Sequence, residues 1–198
     1  MSPRSKLLSE QMKAKSRSAI VLAALELFAK KGFSATTTDE IAKKGKVSKG
    51  LIFSHFHTKE DILLAIIDEE IDRFLPKFNQ DDDARDPKEK LTSFINEWLG
   101  LLEKEPLLIL LSLRLNLDES WRKILRRKGK QYIEIYLKRM RDLLIQAGSK
   151  KPDLDCYLIG VLFDGVAANY VAAPELFPLN DIKNYLIELL FSYWQNQK

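Results

Sequence analysis

Cysteine is almost missing from this chain. Cys156 is the only one in 198 residues, so no internal disulfide can staple the fold, and a reducing compartment fits. Histidine is nearly as scarce, with only His55 and His57. A Cys/His or Ser/His catalytic set therefore has few possible members. On a helix the two histidines point about 200° apart, which does not suit a shared metal. Glycine and proline number 8 and 7, and no glycine-rich phosphate loop is present. The longest uninterrupted run of Leu, Ile and Val, residues 107–111, is far too short to cross a bilayer. The start, MSPRSKLLSEQMKAKSRS, has no apolar stretch of signal-peptide length. The expectation is a cytoplasmic protein with no catalytic residues, no cofactor and no metal. Asp81, Asp82 and Asp83 read as a solvated loop rather than a cation site.

Hydrophobic residues make up 45% and charged residues 30%, a globular balance. The net charge is +4, but it is unevenly spread. Residues 1–60 hold 12 Lys and Arg against 5 Asp and Glu, and the remainder holds 20 against 23. A basic first third suits phosphate backbones, whose neutralisation releases counterions. Lysine-rich solvated helix faces give the same count.

Apolar spacing at three and four residues predicts helices almost throughout, about nine in all. They are expected near 11–31, as two short helices after Thr37 (the second at about 48–55), and near 59–78, 87–104, 106–117, 119–147, 153–172 and 180–194. Gly32 stops the first. The stretch PLLILLSLRLNL alternates like a strand, but leucine lacks the β-branched preference and no partner strand exists, so it is assigned to helix. Small residues (Gly160, Gly165, Ala167, Ala168, Ala172) run through the penultimate helix and invite close approach by another helix. The last helix is apolar on more than one side, so it is either fully buried or faces a second subunit.

The segment from Thr37 to Leu63 has the grammar of two short helices and a tight turn. Thr37 or Thr38 caps the first, with Asp39 and Glu40 favourably placed in its first turn. Ile41 and Ala42 face inward, and Val47 plugs the space between the helices. Ser48 caps the second helix, where Lys49 and Gly50 add an ammonium and a bare backbone. Ile52 and Phe56 lie on its inner side. Leu51, Phe53, Ser54 and His55 are left outside, where a major groove offers thymine methyls and sugar edges.

GFSATTTDEIAKKGKVSKGLIFSHFHTKEDIL, residues 32–63, resembles the DNA-binding domain of the TetR family of bacterial transcriptional regulators. The likeness covers about residues 15–65; the remainder matches only in helix count and length. Two positions depart from the family pattern. Lys46 stands where the turn commonly has glycine, with Gly45 one place earlier, and Phe53 stands where tyrosine is usual. A lysine with positive φ costs about 1 kcal/mol or more, unless Gly45 takes the strain or the turn is remodelled.

The resemblance implies an all-α fold: an N-terminal three-helix helix-turn-helix domain, residues 1–60, and a larger helical ligand-binding and dimerisation domain, residues 61–198. It implies DNA contact by Thr37, Lys46, Ser48, Lys49, Gly50, Leu51, Phe53, Ser54, His55 and Lys59. Thr37 also reads as a plain cap. Lys6, Lys13, Lys15 and Arg17 form either an arm reaching DNA or a frayed basic tail. An apolar pocket is expected among Trp98, Leu102, Leu110, Trp121, Tyr132, Tyr136, Met140 and Phe163, each of which also reads as ordinary core. A dimer interface is expected at Leu158, Val161, Leu162, Gly165, Ile182, Tyr185, Leu186, Leu189 and Tyr193. The implied protein is a homodimeric, ligand-responsive repressor of a near-palindromic DNA site, with a hydrophobic or amphipathic effector. The competing reading is a DNA-binding architectural or division-control factor whose larger domain holds a protein partner.

Overall fold

A computed structural model of the chain describes residues 3–78, 86–124 and 130–195. Among the described residues every regular element is a helix, and there are ten: α1 (Pro3–Lys31), α2 (Thr38–Gly45), α3 (Lys49–His55), α4 (Lys59–Phe78), α5 (Pro87–Lys104), α6 (Pro106–Leu117), α7 (Glu119–Ile124), α8 (Lys130–Gln146), α9 (Pro152–Ala172) and α10 (Leu179–Gln195). The all-α expectation holds, and PLLILLSLRLNL is helical as α6. The single helix expected over 119–147 is instead two, α7 and α8. The acidic connection at 79–85, with Asp81 to Asp83, lies outside the described residues. α1 begins at Pro3, not near residue 11. Proline suits a first helical position, and no breaker separates residues 4–10 from the nucleated helix beyond them.

The chain divides into two compact units, Met1–Arg73 with Leu110–Ile124, and Phe74–Ile109 with Leu125–Lys198. The first packs α2 and α3 against α1. Ile20, Ala24 and Phe28 of α1 are fully buried, as are Ile41 of α2 and Ile62 and Leu63 of α4. These are the apolar positions at three- and four-residue spacing.

The second unit is organised on α5, which touches α8, α9 and α10. Leu91, Ile95, Leu99 and Leu102 form its buried stripe, facing Met140, Leu144, Ile159, Phe163 and Leu190. Trp98 stacks on Phe163 with ring centroids 4.1 Å apart. A carboxylate enters this interior. Asp155 is 2% exposed, and its Oδ2 accepts from Ser149 Oγ at 2.5 Å and Trp194 Nε1 at 2.7 Å. The Ser149 Oγ in turn accepts from the Lys151 backbone N–H at 3.2 Å. The α8–α9 turn, the start of α9 and the end of α10 are thus joined at one carboxylate. A buried carboxylate needs such donors to offset its lost hydration.

Composition alone makes α9 long and apolar enough to cross a membrane, with mean hydropathy 1.3 over its best window. It carries Asp153, Asp155 and Asp164 within 21 residues.

Removing one donor from Asp155 is the direct test of this junction. Trp194→Phe keeps most of the apolar volume but strands a buried carboxylate, so urea denaturation should show a loss of about 2–4 kcal/mol. A loss below about 0.5 kcal/mol would contradict the assignment.

Candidate nucleic-acid interface

The two-helix motif is built from its caps. Thr37 takes an extended conformation, its Oγ1 accepts from the Glu40 N–H at 3.2 Å, and the Glu40 carboxylate accepts from the Thr37 N–H at 2.9 Å. This reciprocal capping box satisfies donors that a helix start otherwise leaves orphaned. Lys31 pairs with the same carboxylate. That ammonium first, and Thr37 second, hold the Glu40 pKa down at about 2. Because the folded pKa lies below its ordinary 4.5, this contribution is present above that value and is lost as pH falls towards 2.

The turn answers the question raised by Lys46. Lys46 takes the left-handed conformation, φ 53° and ψ 39°, and among the described residues no other non-glycine has positive φ. Gly45 does not absorb the strain. It ends α2, where a Cβ would sit 3.2 Å from the Ala19 carbonyl oxygen and 3.4 Å from Ala23 Cβ. Its lack of a side chain lets α2 approach α1. The Lys46 and Val47 N–H groups then close the helix end by donating to Lys43 and Ala42 carbonyls at 3.3 and 3.0 Å.

Ser48 starts α3, its Oγ accepting from the Leu51 N–H at 3.1 Å. Ile52 is 1% and Phe56 6% exposed, which seats one face of α3. Outward stand Lys49, Gly50, Phe53 and Ser54. A Cβ added at Gly50 would meet nothing within 4 Å. Phe53 is 46% exposed, a large apolar surface on a seven-residue helix. Lys49 Nζ lies 2.7 Å from Asp39 Oδ1, but both side chains are more than half exposed, so the pair is weak and exchangeable for a phosphate. Ser54 Oγ donates to the Leu51 carbonyl at 2.8 Å. Leu51 is half-buried.

His55 and Lys59 are placed differently from their neighbours. His55 Nε2 shares a 2.7 Å hydrogen bond with Ser16 Oγ of α1. Ser16 Oγ also lies 2.9 Å from the Lys13 carbonyl; the direction of the His55 contact follows the imidazole tautomer, with Nε2–H donating when the hydroxyl proton is on that carbonyl. Burial, then the charges of Lys13 and Arg17, pull the His55 pKa below its usual 6.5. The stability this implies is complete above that value and is lost as pH falls below it. Lys59 is turned away from the outward face. Its Nζ donates to the Phe33 and Thr36 carbonyls at 2.7 and 2.8 Å and sits 4.5 Å from the Phe33 ring centroid. Lys59 therefore fastens the loop after α1, a role that sequence spacing did not suggest. A cleft of about 470 Å³ lies beside it, lined by Phe33, Ser34, Thr58, Lys59, Glu60 and Ser120. Ser34 Oγ donates to Asp118 Oδ2 across it at 3.2 Å.

None of the six expected pocket residues whose side chains are described lines that cleft. Leu110 and Trp121 belong to the first unit, while Trp98, Leu102, Met140 and Phe163 belong to the second. In the second unit Leu102, Met140 and Phe163 are buried. The side chains of Tyr132 and Tyr136 lie outside the described residues. Of the residues expected at a dimer interface, Val161 and Tyr185 are strongly exposed, and Leu158, Leu189 and Tyr193 are more than two-fifths exposed. Gly165 is also exposed, while Leu162 and Ile182 are half-buried. Leu186 is buried, because its face of α10 is turned into the core. Leu154 and Tyr157, absent from the sequence expectation, extend the exposed apolar stretch of α9.

Residues 20–66 match the family described as bacterial regulatory proteins, tetR family. The fatty acid metabolism regulator protein of Bacillus subtilis (strain 168) is 29% identical over 186 residues, spanning 90% of this chain and 95% of that protein. The fatty acid degradation regulator FadR from Bacillus halodurans superposes with a TM-score of 0.76 at 25% identity, covering 89% of this chain and 94% of that one. FadR from Bacillus subtilis, solved in complex with stearoyl-CoA, gives 0.75 at 25% identity over 88% and 97% of the two chains.

Lys46→Gly relieves a left-handed conformation that glycine adopts freely. Chemical denaturation should show a gain of about 1 kcal/mol, and Lys46→Ala should show none. Equal effects would mean that the charge, not the backbone, sets the cost.

Proposed function

Because the chain belongs to the tetR family of bacterial regulatory proteins, we propose that it acts as a homodimeric, effector-released repressor of transcription whose effector is a long-chain acyl-CoA. Residues 1–60 serve as its DNA-binding module in the bacterial cytoplasm. Residues 61–198 serve as its effector-binding and dimerisation module. The observation that carries DNA binding is the outward face of α3, where Lys49, Gly50, Phe53 and Ser54 are presented by a firmly capped helix with a buried back. Such a helix fits a major groove, with its Lys46 and Ser48 end at the phosphates and Thr37, at the start of α2, as a separate phosphate contact.

The dimer reading rests on the uncovered side of α9 and α10. Leu154, Tyr157, Leu158, Val161, Tyr185, Leu189 and Tyr193 are exposed there. A Cβ at Gly160 or Gly165 would meet nothing within 4 Å, so these glycines leave room for a second copy. A two-fold pairing of these faces is self-complementary and closed. It would hold two copies of α3 for half-sites roughly 34–36 Å apart.

The effector reading rests on likeness along most of the chain to regulators of fatty acid metabolism, one of them solved with stearoyl-CoA. Release requires the acyl-CoA to bind the DNA-incompetent spacing more tightly than the competent one. The aromatic and aliphatic interior around Trp98, Phe163 and Met140 is suited to an acyl chain.

The test is selection of sheared genomic DNA by the purified protein, with and without stearoyl-CoA, beside a Val161→Arg/Tyr185→Arg variant. Inverted repeats should be enriched, be lost on adding stearoyl-CoA, and be absent with the variant, which should sediment as a monomer. Enrichment that stearoyl-CoA leaves untouched would remove the effector assignment. Enrichment by a monomeric variant would remove the dimer. No enrichment by the unaltered protein would remove sequence-specific DNA binding.

A further inference from the structure

α1 is 29 residues long, which is about 43 Å at 1.5 Å per residue. Its core contacts begin late. Residues 6–15 are all exposed, and among its described side chains Ile20 is the first that is buried. About 15 Å of helix therefore overhangs the packed unit. The overhang is strongly basic: residues 1–18 hold Arg4, Lys6, Lys13, Lys15 and Arg17 against Glu10 alone.

Helical geometry sorts these charges. Lys6 and Lys13 are seven residues apart and align within about 20°. Arg17, four residues on, continues the line. The same stripe, followed into the packed part of α1, becomes Ile20, Ala24 and Phe28, which are buried. Lys6 and Lys13 thus look the way the core face looks, beyond the point where the core ends. Lys15 lies about 160–200° around from them.

The overhang passes the C-terminal end of α3. Ser16 Oγ meets His55 Nε2 at 2.7 Å, Arg17 stands over the Phe56 ring at 5.4 Å, and Lys13 is near enough to His55 to weigh on its charge. Arg17 is already paired with Glu69. Among these neighbours Lys13 and Lys6 are the ammonium groups that the structure leaves pointing to solvent with this orientation.

α3 is seven residues long, about 10 Å, and a major groove is about 12 Å wide. A helix of that length reaches from one phosphate wall of the groove to the other. Lys46 and Ser48 stand at its first end. His55, Ser16 and Lys13 stand at its second. We propose that the overhang of α1 is a second DNA-contact element, in which Lys13 grips the phosphate wall at the far end of α3 and Lys6 grips the flanking backbone about 10 Å further out. Its ligand is duplex DNA flanking each half-site, held without base readout. Glu10 lies at the edge of the stripe and limits how many phosphates it can take. The inference rests on the DNA-binding reading given above.

The salt dependence of affinity counts phosphate contacts, at about 0.9 of log–log slope each. The full-length protein, Lys6→Ala/Lys13→Ala and Lys15→Ala are each titrated against two duplexes of about 40 base pairs, long enough for two half-sites with flanks. One carries a selected inverted repeat, the other a random sequence. For a dimer, the double variant should lose about 3–4 units of slope on both duplexes, and Lys15→Ala should match the unaltered protein. A slope unchanged in the double variant overturns the proposal and leaves the exposed Leu8 and Met12 as the face to explain. An equal loss in Lys15→Ala overturns it too, because the effect would then be of net charge and not of the stripe. No binding of either duplex by the unaltered protein would sink the DNA-binding reading itself, a result distinct from both.

Discussion

The approach of α2 to α1 at Gly45 fixes where the reading helix can stand. With 3.2 Å between a Cβ built at Gly45 and the Ala19 carbonyl oxygen, the backbones are close enough that only glycine fits without displacement. Because Gly45 is committed to that contact, the turn must pass into the left-handed region one residue later, at Lys46. Ser48 then caps α3, and Ile52 and Phe56 seat its inner face. Phe53 and Lys49 are outward as a consequence. A side chain at Gly45 would press its Cβ on the Ala19 carbonyl oxygen, and α1 and α2 would have to part by a few tenths of an ångström. The strain at Lys46, of order 1 kcal/mol, is small beside the packing it permits.

The two units solve polar burial differently. In the first, the loop after α1 would leave carbonyls without partners, and the Lys59 ammonium supplies donors to three of them, those of Phe33, Ser34 and Thr36, while lying over Phe33. Burial lowers the Lys59 pKa, as expected where a cation is partly stripped of water. In the second, Asp155 collects two donors in a nearly dry site. Each arrangement ties segments remote in sequence at a single group, so each adds specificity as well as stability.

Most of the first unit was legible in the sequence because its signals are local. Thr37 and Ser48 are caps, Gly32 is a stop, and Ile41, Ile52 and Phe56 fall on inner faces by spacing alone. The length of α1 was not legible, since residues 6–10 bury nothing and carry no apolar period. The true role of Lys59 was hidden because its partners are carbonyls 23 to 26 residues away. Spacing also cannot tell which apolar face of α10 is core, so Leu186 was grouped with Tyr185 and Leu189 although it points inward. The second unit has long-range partners throughout, and its apolar residues look alike in sequence whether they line a pocket, a core or a subunit interface.

The central claim is that α3 enters the major groove by its Lys49, Gly50 and Phe53 face. Methylation interference on the selected duplex reads this directly, because guanine N7 lies in the major groove and adenine N3 in the minor. Interference at guanine N7 in two patches about one helical turn apart, abolished by Phe53→Ala and Lys49→Ala, is the predicted result. Interference confined to adenine N3, or unaltered by those substitutions, would contradict it.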